Sequence, residues 1–291
     1  MRVATFSIVA ADPVAREVGC AVQSKYFAVG NVVPWARAGV GAIATQAAGV
    51  AAYGPWALDE LSGGASPDEA IERVLAEDDE RETRQLGAVR AAGAAASFTG
   101  ADCLAWAGHR TGPGYAVQGN ILAGEAVVEE MERAFLETAG ELAHRLVAAL
   151  EAGQAAGGDS RGQQSAAVVV EREGASADTR EGIDRVCDLR VDDHPEPIAE
   201  LRRLLGIHER WDAVRRASLH HRPGAYEHGV EILAAAHERF GDDATILYDL
   251  ACYEALAGRL DEARAHIDRS LELEPSYRAM AATDEDLEAL R

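Results

Sequence analysis

The sequence almost lacks lysine. Lys25 is the only lysine in a chain of 291 residues that contains 28 lysines and arginines together. This bias indicates that arginine replaces lysine wherever either residue will serve. Because arginine cannot lose its proton in a protein, whereas a buried lysine can shift its pKa and act as a base, the retained Lys25 is a candidate functional residue. The alternative is that it survived by chance at the end of a strand.

Cysteine pairs and long apolar runs are also missing. The four cysteines (Cys20, Cys103, Cys187 and Cys252) form no C-x-x-C pair, which argues against a disulfide framework or a zinc site and favours reduced thiols. No segment approaches the roughly 18 apolar residues of a membrane span, and the apolar run in "MRVATFSIVAADP" is too short for a signal peptide. We therefore expect a cytoplasmic protein without a membrane partner.

The charge balance excludes another class of partner. With 49 acidic against 28 basic residues, the net charge is −21, which argues against binding to nucleic acid or to an anionic surface. Apolar residues make up 48% of the chain and aromatic residues only 5%, so we expect a core of Ala, Val, Leu and Ile.

The order of predicted elements indicates an α+β fold over residues 1–205. "VATFSIVA" and "GCAVQS" predict an opening hairpin, and the chain then alternates between groups of strands and pairs of helices. Two antiparallel sheets stacked face to face, with helices outside each, fit that order as a four-layer αββα sandwich. One helix has a clear start, since Ser66 and Glu69 form a capping-box pattern around Pro67.

Residues 206–291 form a different kind of sequence. From about residue 210 the pattern is helical with a period of 34, and Leu247, Leu250, Ala251, Gly258, Ala263 and Pro275 stand at tetratricopeptide-like spacings. A second, partial copy lies 34 residues earlier, and a last helix is predicted near "TDEDLEALR". We expect a small helical repeat domain that could offer a docking surface to a protein partner.

Two residues of the opening hairpin suggest nucleophilic chemistry. Thr5 lies near the start of the first strand and Lys25 at the end of the second, so antiparallel pairing brings them side by side. A hydroxyl beside an amine of low pKa is one way to activate a nucleophile. Ser7, on the same face two residues later, is the rival nucleophile.

The first 205 residues resemble a known bacterial family. The stretches "TFSIVAADP", "QSKYFAVG", "VVPWARAGVGAIATQ", "AVQGNILAG", "GGDSRGQQSAA" and "LRVDDHPEP" are similar to domain of unknown function 1028. That family is placed among the N-terminal-nucleophile (Ntn) hydrolases, to which the order of elements also shows a weaker resemblance.

The wider resemblance implies roles for several residues. Thr5 would be the nucleophile and Lys25 the lysine that tunes its amine, while the region of Gly119 and Asn120 would form the oxyanion hole. Asp159 would support the nucleophile, and Arg161 lies in the same loop. Taken without the resemblance, these residues can equally be turn glycines, a helix cap and a solvated acid.

One feature departs from the Ntn pattern. In that superfamily the free α-amine of the nucleophile is the base, yet residues 1–4 precede Thr5 and removal of Met1 alone would not free it. Either the chain is cleaved before Thr5, or Lys25 serves as the base, or the fold retains the site without the chemistry.

Other polar residues complete the set of candidates. Thr45 and Gln46 end a glycine-rich strand and are expected to line the same pocket as Thr5. His109 and Arg110 either bind a substrate carboxylate or belong to a surface turn. Asp192, Asp193 and His194 are expected to cap a strand rather than bind a metal, because neighbouring strand residues face opposite ways. We expect no metal and no cofactor.

The function expected from the sequence is hydrolysis of an amide C–N bond in a small polar molecule. Thr5 is the expected nucleophile, and Ser7, Thr45, Gln46, Gly119 and Arg161 are expected to contact the substrate. The alternative is a non-catalytic binding or assembly module that docks a partner through its repeats. A homo-oligomer is compatible with either.

Overall fold

The computed structural model describes residues 5–177 and 182–291. The chain divides into two compact units, Met1–Ser176 with Ile183–Leu205, and Ala177–Gly182 with Gly206–Arg291. The first unit is a mixed α+β structure with two antiparallel sheets, and the second is helical.

The described residues form ten strands. They are β1 (Thr5–Asp12), β2 (Glu17–Ser24), β3 (Pro34–Arg37), β4 (Gly41–Ala47), β5 (Arg84–Arg90), β6 (Ala95–Thr99), β7 (Trp106–Gly112), β8 (Tyr115–Leu122), β9 (Ser165–Arg172) and β10 (Arg185–Val191). One sheet has six strands in the order β10-β9-β2-β1-β8-β7, and the other has four in the order β3-β4-β5-β6. Strand β1 therefore lies inside the larger sheet, with β2 and β8 as neighbours.

The predicted opening hairpin is confirmed. Strands β1 and β2 pair antiparallel, and Thr5 lies opposite Ser24. Side chains alternate along β1 as expected: Phe6 and Ile8 enter the apolar core beneath a helical layer, whereas Val9 belongs to the core between the two sheets. Thr5 and Ser7 share the face of Val9 and so point toward the other sheet.

Five helices begin in the first unit. They are α1 (Tyr53–Ser62), α2 (Pro67–Leu75), α3 (Ala126–Glu137), α4 (Leu142–Ala155) and α5 (Pro197–Ser218). Helices α1 and α2 pack on the four-stranded sheet, and α3 and α4 pack on the six-stranded sheet. The Ser66 capping box is present, and the chain breaks between α3 and α4 at Gly140, which has φ +106°.

Two strands were not predicted. "WAGHRTG" forms β7, which pairs with β8 at the edge of the larger sheet, and Pro34–Arg37 forms β3 at the edge of the smaller one. Neither segment shows a clear alternation of apolar and polar residues. Their extended conformation follows instead from pairing with a well-formed neighbour strand.

The second unit contains α6 (Tyr226–Phe240), α7 (Ala244–Leu256), α8 (Leu260–Leu273) and α9 (Arg278–Ala281). Helices α7 and α8 pack around a core that includes Ala251, Ala263 and Ile267. The predicted last α-helix is instead a 3₁₀ segment, Glu285–Leu290, whose cap residue Asp284 accepts a hydrogen bond from the Asp286 amide. Within the described ranges, no helix is long and apolar enough to cross a membrane.

Candidate functional site

Thr5 occupies the first position of β1, between the ends of two neighbouring strands. Its backbone lies opposite Ser24 of β2 and Asn120 of β8. The residue is fully buried, and its hydroxyl donates a hydrogen bond to Ser24 Oγ at 3.1 Å. Thr5 therefore has a fixed hydroxyl at the end of a central strand.

A pocket of about 250 Å³ opens beside Thr5. It is lined by Thr5, Tyr26, Val32, Val33, Thr45, Gln46, Ala47, Gly49 and Ala51. The structure thus brings Thr5, Thr45 and Gln46 around one space, and no acidic or basic side chain belongs to that lining. A pocket of this size and polarity suits a small uncharged group.

The backbone of the pocket wall turns sharply after Gln46. Ala47 has φ +68°, a left-handed conformation that is rare for a residue with a side chain. Ile121, one residue after Asn120, also has a positive φ, +54°, which is unfavourable for a β-branched residue. Strained residues of this kind occur at functional sites, where the surrounding structure holds them in place.

Ser7 is held in a different environment from Thr5. Its hydroxyl donates to Gln46 Oε1 at 2.7 Å and accepts from Gln118 Nε2 at 2.7 Å. Ser7 is fully buried and is not part of the pocket lining. The structure therefore places Ser7 in a layer of hydrogen bonds between the sheets, outside the lining of the pocket.

Gln85 on β5 lies at the centre of that layer. Its Oε1 accepts from Gln46 Nε2 at 2.9 Å and from Asn120 Nδ2 at 3.0 Å. Its Nε2 donates to the Gly119 carbonyl at 2.8 Å and to Thr99 Oγ1 at 2.9 Å. These bonds join the two sheets directly beneath the pocket and fix the Gln46 amide.

Gln85, Gln118 and Ser24 were not predicted as site residues. The available signal was a buried polar residue in an otherwise apolar strand, as in "RQLGAVR" and "YAVQGNIL". Such residues need hydrogen-bond partners, and one amide side chain can supply a donor and an acceptor at once.

Asn120 lies directly across from Thr5 in the sheet. Its amide nitrogen carries two hydrogens and donates one of them to Gln85. Gly119 faces the opposite side of β8, where a side chain would collide with Leu122 Cδ1, and its carbonyl is bound by Gln85. Of the two residues predicted for an oxyanion hole, only Asn120 has a side chain near Thr5.

Asp159 anchors the loop after α4 to the end of β2. Its buried carboxylate accepts hydrogen bonds from the Lys25 amide at 2.8 Å and from the Arg161 amide at 2.8 Å. The Arg161 guanidinium lies 3.3 Å from the same carboxylate. Asp159 thus acts on the backbone next to Ser24, the partner of the Thr5 hydroxyl, and not on Thr5 itself.

Lys25 is not buried, although a lysine that acts as a base of low pKa would be expected to be. Its side chain is exposed, and Nζ donates to the Gln163 carbonyl at 3.1 Å. The reason is local: β2 ends at Ser24, and the chain turns so that Lys25 points away from the sheet interior. In the described part of the chain, the hydrogen bonds of the Thr5 and Ser7 hydroxyls go to Ser24, Gln46 and Gln118, and that of the Lys25 amine goes to Gln163.

The remaining candidates lie elsewhere. Arg110 pairs with Glu132 at 2.5 Å on the outer side of β7. His109 Nδ1 lies 2.8 Å from Thr99 Oγ1, and partial desolvation lowers the pKa of His109. This arrangement fits a neutral imidazole that accepts a hydrogen bond from the Thr99 hydroxyl.

The acidic stretch after β10 makes structural contacts. Asp193 accepts from Gln164 Nε2 at 3.1 Å, and His194 Nδ1 accepts from the Glu196 amide at 3.0 Å.

The predicted cleavage that would remove residues 1–4 falls outside the described residues.

Comparison with known proteins gives a family but no activity. Residues 5–201 match the family model described as "Family of unknown function (DUF1028)". The chain is similar to the crystal structure of protein SPO2555 from Silicibacter pomeroyi, described under the same family model, with 31% identity, a TM-score of 0.64, and coverage of 73% of this chain and 94% of that one. No curated protein matches this chain significantly.

Proposed function

The chain belongs to the DUF1028 family, and on that premise we propose that it is a hydrolase of the N-terminal-nucleophile type. It would cleave the amide C–N bond of a small polar molecule, with Thr5 as the nucleophile. The observation that carries the proposal is the position of Thr5: a buried, hydrogen-bonded hydroxyl at the start of a central strand, on the wall of a pocket.

The chemistry requires a base that takes the Thr5 proton. Cleavage of the peptide bond before Thr5 would release its α-amine, which lies on the same residue as the hydroxyl and can serve as that base. Oγ1 would then attack the carbonyl carbon, and the protonated base would return its proton to the departing amine. Water would hydrolyse the acyl–Thr5 ester and restore the enzyme.

Neighbouring residues would position the reacting groups. The free hydrogen of Asn120 Nδ2 would stabilise the oxyanion, and Ser24 would orient the Thr5 hydroxyl. Thr45 and Gln46 would contact the bound substrate from the pocket wall. Asp159 and Arg161 would fix the end of β2 that carries Ser24.

The wider classification has structural support. Two facing antiparallel sheets, each covered by helices on its outer side, support an αββα sandwich of the Ntn type. In the second unit, α6 begins at Tyr226 and α8 at Leu260, 34 residues later. Buried positions repeat at that spacing, as in Ala217 and Ala251, or Leu233 and Ile267, which supports a tetratricopeptide-like pair of helical hairpins.

The decisive experiment traps the nucleophile without knowledge of the substrate. Purified protein is incubated with a reactive β-lactone, which acylates an activated hydroxyl, and the modified residue is located by peptide mass spectrometry. N-terminal sequencing of the same sample shows whether Thr5 is the first residue. We expect acylation at Thr5 on chains that begin with Thr5, and none in Thr5→Ala.

The exposed Thr111 provides a matched control, since the Thr111→Ala variant should be acylated at Thr5 to the same extent as the wild-type protein. Full acylation of chains that retain Met1 would exclude the free-amine mechanism.

The alternative is a binding or assembly module that has kept the fold without the chemistry. The exposed position of Lys25 favours it, because within the described residues its amine bonds to the Gln163 carbonyl and the Thr5 hydroxyl bonds to Ser24. Absence of both cleavage and acylation would favour this alternative, with the helical repeats as the predicted docking surface.

A further inference from the structure

The helical unit contains a cluster of metal-ligating side chains outside the candidate site. Cys252 on α7 and the residues Asp284 and Asp286 around the start of the last 3₁₀ segment place their ligand atoms within 4.8 Å of one another. This cluster is not visible in the sequence, since 31 residues lie between Cys252 and Asp284 and no paired-cysteine motif marks it.

The Cys252 thiol distinguishes this cluster from an ordinary acidic surface. Cys252 is only 4% exposed, its thiol is free, and within residues 5–177 and 182–291 no hydrogen bond satisfies it. Its sulfur instead faces two carboxylates. A metal ion would bind this sulfur as a thiolate, and its charge would be shared with the two carboxylates.

The carboxylates around Cys252 have little neighbouring positive charge to balance them. Asp249, one helical turn before Cys252, is repelled by the carboxylates of both Asp284 and Asp286. In the described part of the chain, the one basic side chain paired with these three carboxylates is His221, whose Nε2 lies 2.8 Å from Asp286 Oδ2. A divalent cation would offset the remaining repulsion.

Both ligand carboxylates are held by neighbouring groups. The Tyr248 hydroxyl donates to Asp284 Oδ2 at 2.8 Å, and the Asp286 amide donates to Asp284 Oδ1 at 3.1 Å. His221 makes the corresponding contact to Asp286. Metal-binding carboxylates are commonly oriented by such outer hydrogen bonds, which leave a second lone pair on each oxygen for the ion.

We propose that Cys252, Asp284 and Asp286 bind a zinc ion that fastens the C-terminal 3₁₀ segment to helix α7. Zinc suits this set because it accepts sulfur and oxygen ligands together, whereas magnesium and calcium select oxygen alone. Ligand atoms around tetrahedral zinc lie about 3.5 Å apart, so the three atoms need only small side-chain adjustments to close on the ion. A water molecule would complete the coordination.

The test uses the full-length protein stripped with a chelator and reloaded with zinc chloride. Bound zinc is counted by elemental mass spectrometry after removal of excess metal, and cobalt is substituted to observe the thiolate-to-cobalt charge-transfer band. We expect one zinc per chain and a clear charge-transfer band. Cys252→Ser should abolish that band and weaken zinc binding more than tenfold, and His221→Ala should weaken it by about 10–100-fold.

Cys103→Ser is the matched control, because this half-buried thiol lies in the other unit and should leave the zinc count and the cobalt spectrum unchanged. Circular dichroism verifies that each variant is folded, and Asp286→Asn replaces Cys252→Ser if the latter does not fold. A wild-type protein that retains no zinc, or magnesium binding in preference to zinc, would overturn the proposal. Zinc binding that survives both Cys252→Ser and Asp286→Asn would overturn it as well.

Discussion

Thr5 and Ser7 are two hydroxyl residues on the same face of the same strand, and the structure surrounds them differently. Ser7 is enclosed by Gln46 and Gln118, which use both the donor and the acceptor capacity of its hydroxyl. Thr5, two residues earlier, makes one hydroxyl contact with Ser24 and lies on the wall of a pocket. Both are hydroxyl residues on one face of one strand, and what distinguishes Thr5 is its place in the lining of a pocket.

The largest expected effect concerns Thr5 itself. If its hydroxyl is the nucleophile, Thr5→Ala should reduce acylation by a β-lactone, and hydrolysis once a substrate is found, by about a thousandfold or more. Thr5→Ser should keep measurable activity, because it retains the hydroxyl. Rates are compared by mass spectrometry over time, and near-wild-type acylation of Thr5→Ala would remove Thr5 from the mechanism.

The second largest effect is expected from disrupting the layer of hydrogen bonds that encloses Ser7. Gln85→Ala should lower the free energy of unfolding by about 3 kcal/mol, because it leaves the buried amides of Gln46 and Asn120 without their shared acceptor. Urea denaturation measures the change. Gln164→Ala, which removes only an exposed contact to Asp193, should cost less than about 0.5 kcal/mol. Equal effects of the two variants would show that the layer does not stabilise the sheets.

Ser7→Ala should have a smaller effect on stability and little on the trapping reaction. It leaves one acceptor on Gln46 and one donor on Gln118 unpaired, at a cost of about 1–3 kcal/mol. Ser160→Ala, on an exposed loop, is the control and should be nearly neutral. Loss of Thr5 acylation in a folded Ser7→Ala protein would show that the two hydroxyls act together.

The smallest effect is expected for Lys25→Arg. Because the Lys25 side chain is exposed and its amine binds a loop carbonyl, arginine should replace it within about 0.5 kcal/mol and leave acylation at Thr5 unchanged. Thermal unfolding and the β-lactone assay measure both quantities. A strong loss of acylation with the fold intact would show that Lys25 contributes to the reaction at Thr5, despite its exposed position.

The outcome for Lys25 shows where reasoning from sequence stops. Its position after β2 was predicted from strand pattern, and the hairpin register is as expected. The direction of its side chain depends on how the chain turns after Ser24, and on the Asp159 loop that binds the Lys25 amide from 134 residues away. The rarity of lysine in this chain does not indicate how the chain turns after Ser24.

The sequence by itself determined the features that arise from local physics. The Ser66 capping box, the alternation along β1 and the 34-residue spacing of α6 and α8 depend on neighbouring residues and on helix or strand period. Only the tertiary structure decided that Thr5 and not Ser7 lines a pocket, how Gln85 joins two sheets, and that Cys252 lies beside Asp284 and Asp286. Those contacts join residues that are far apart in the chain, and their geometry is set by the packing of whole elements, which no local pattern encodes.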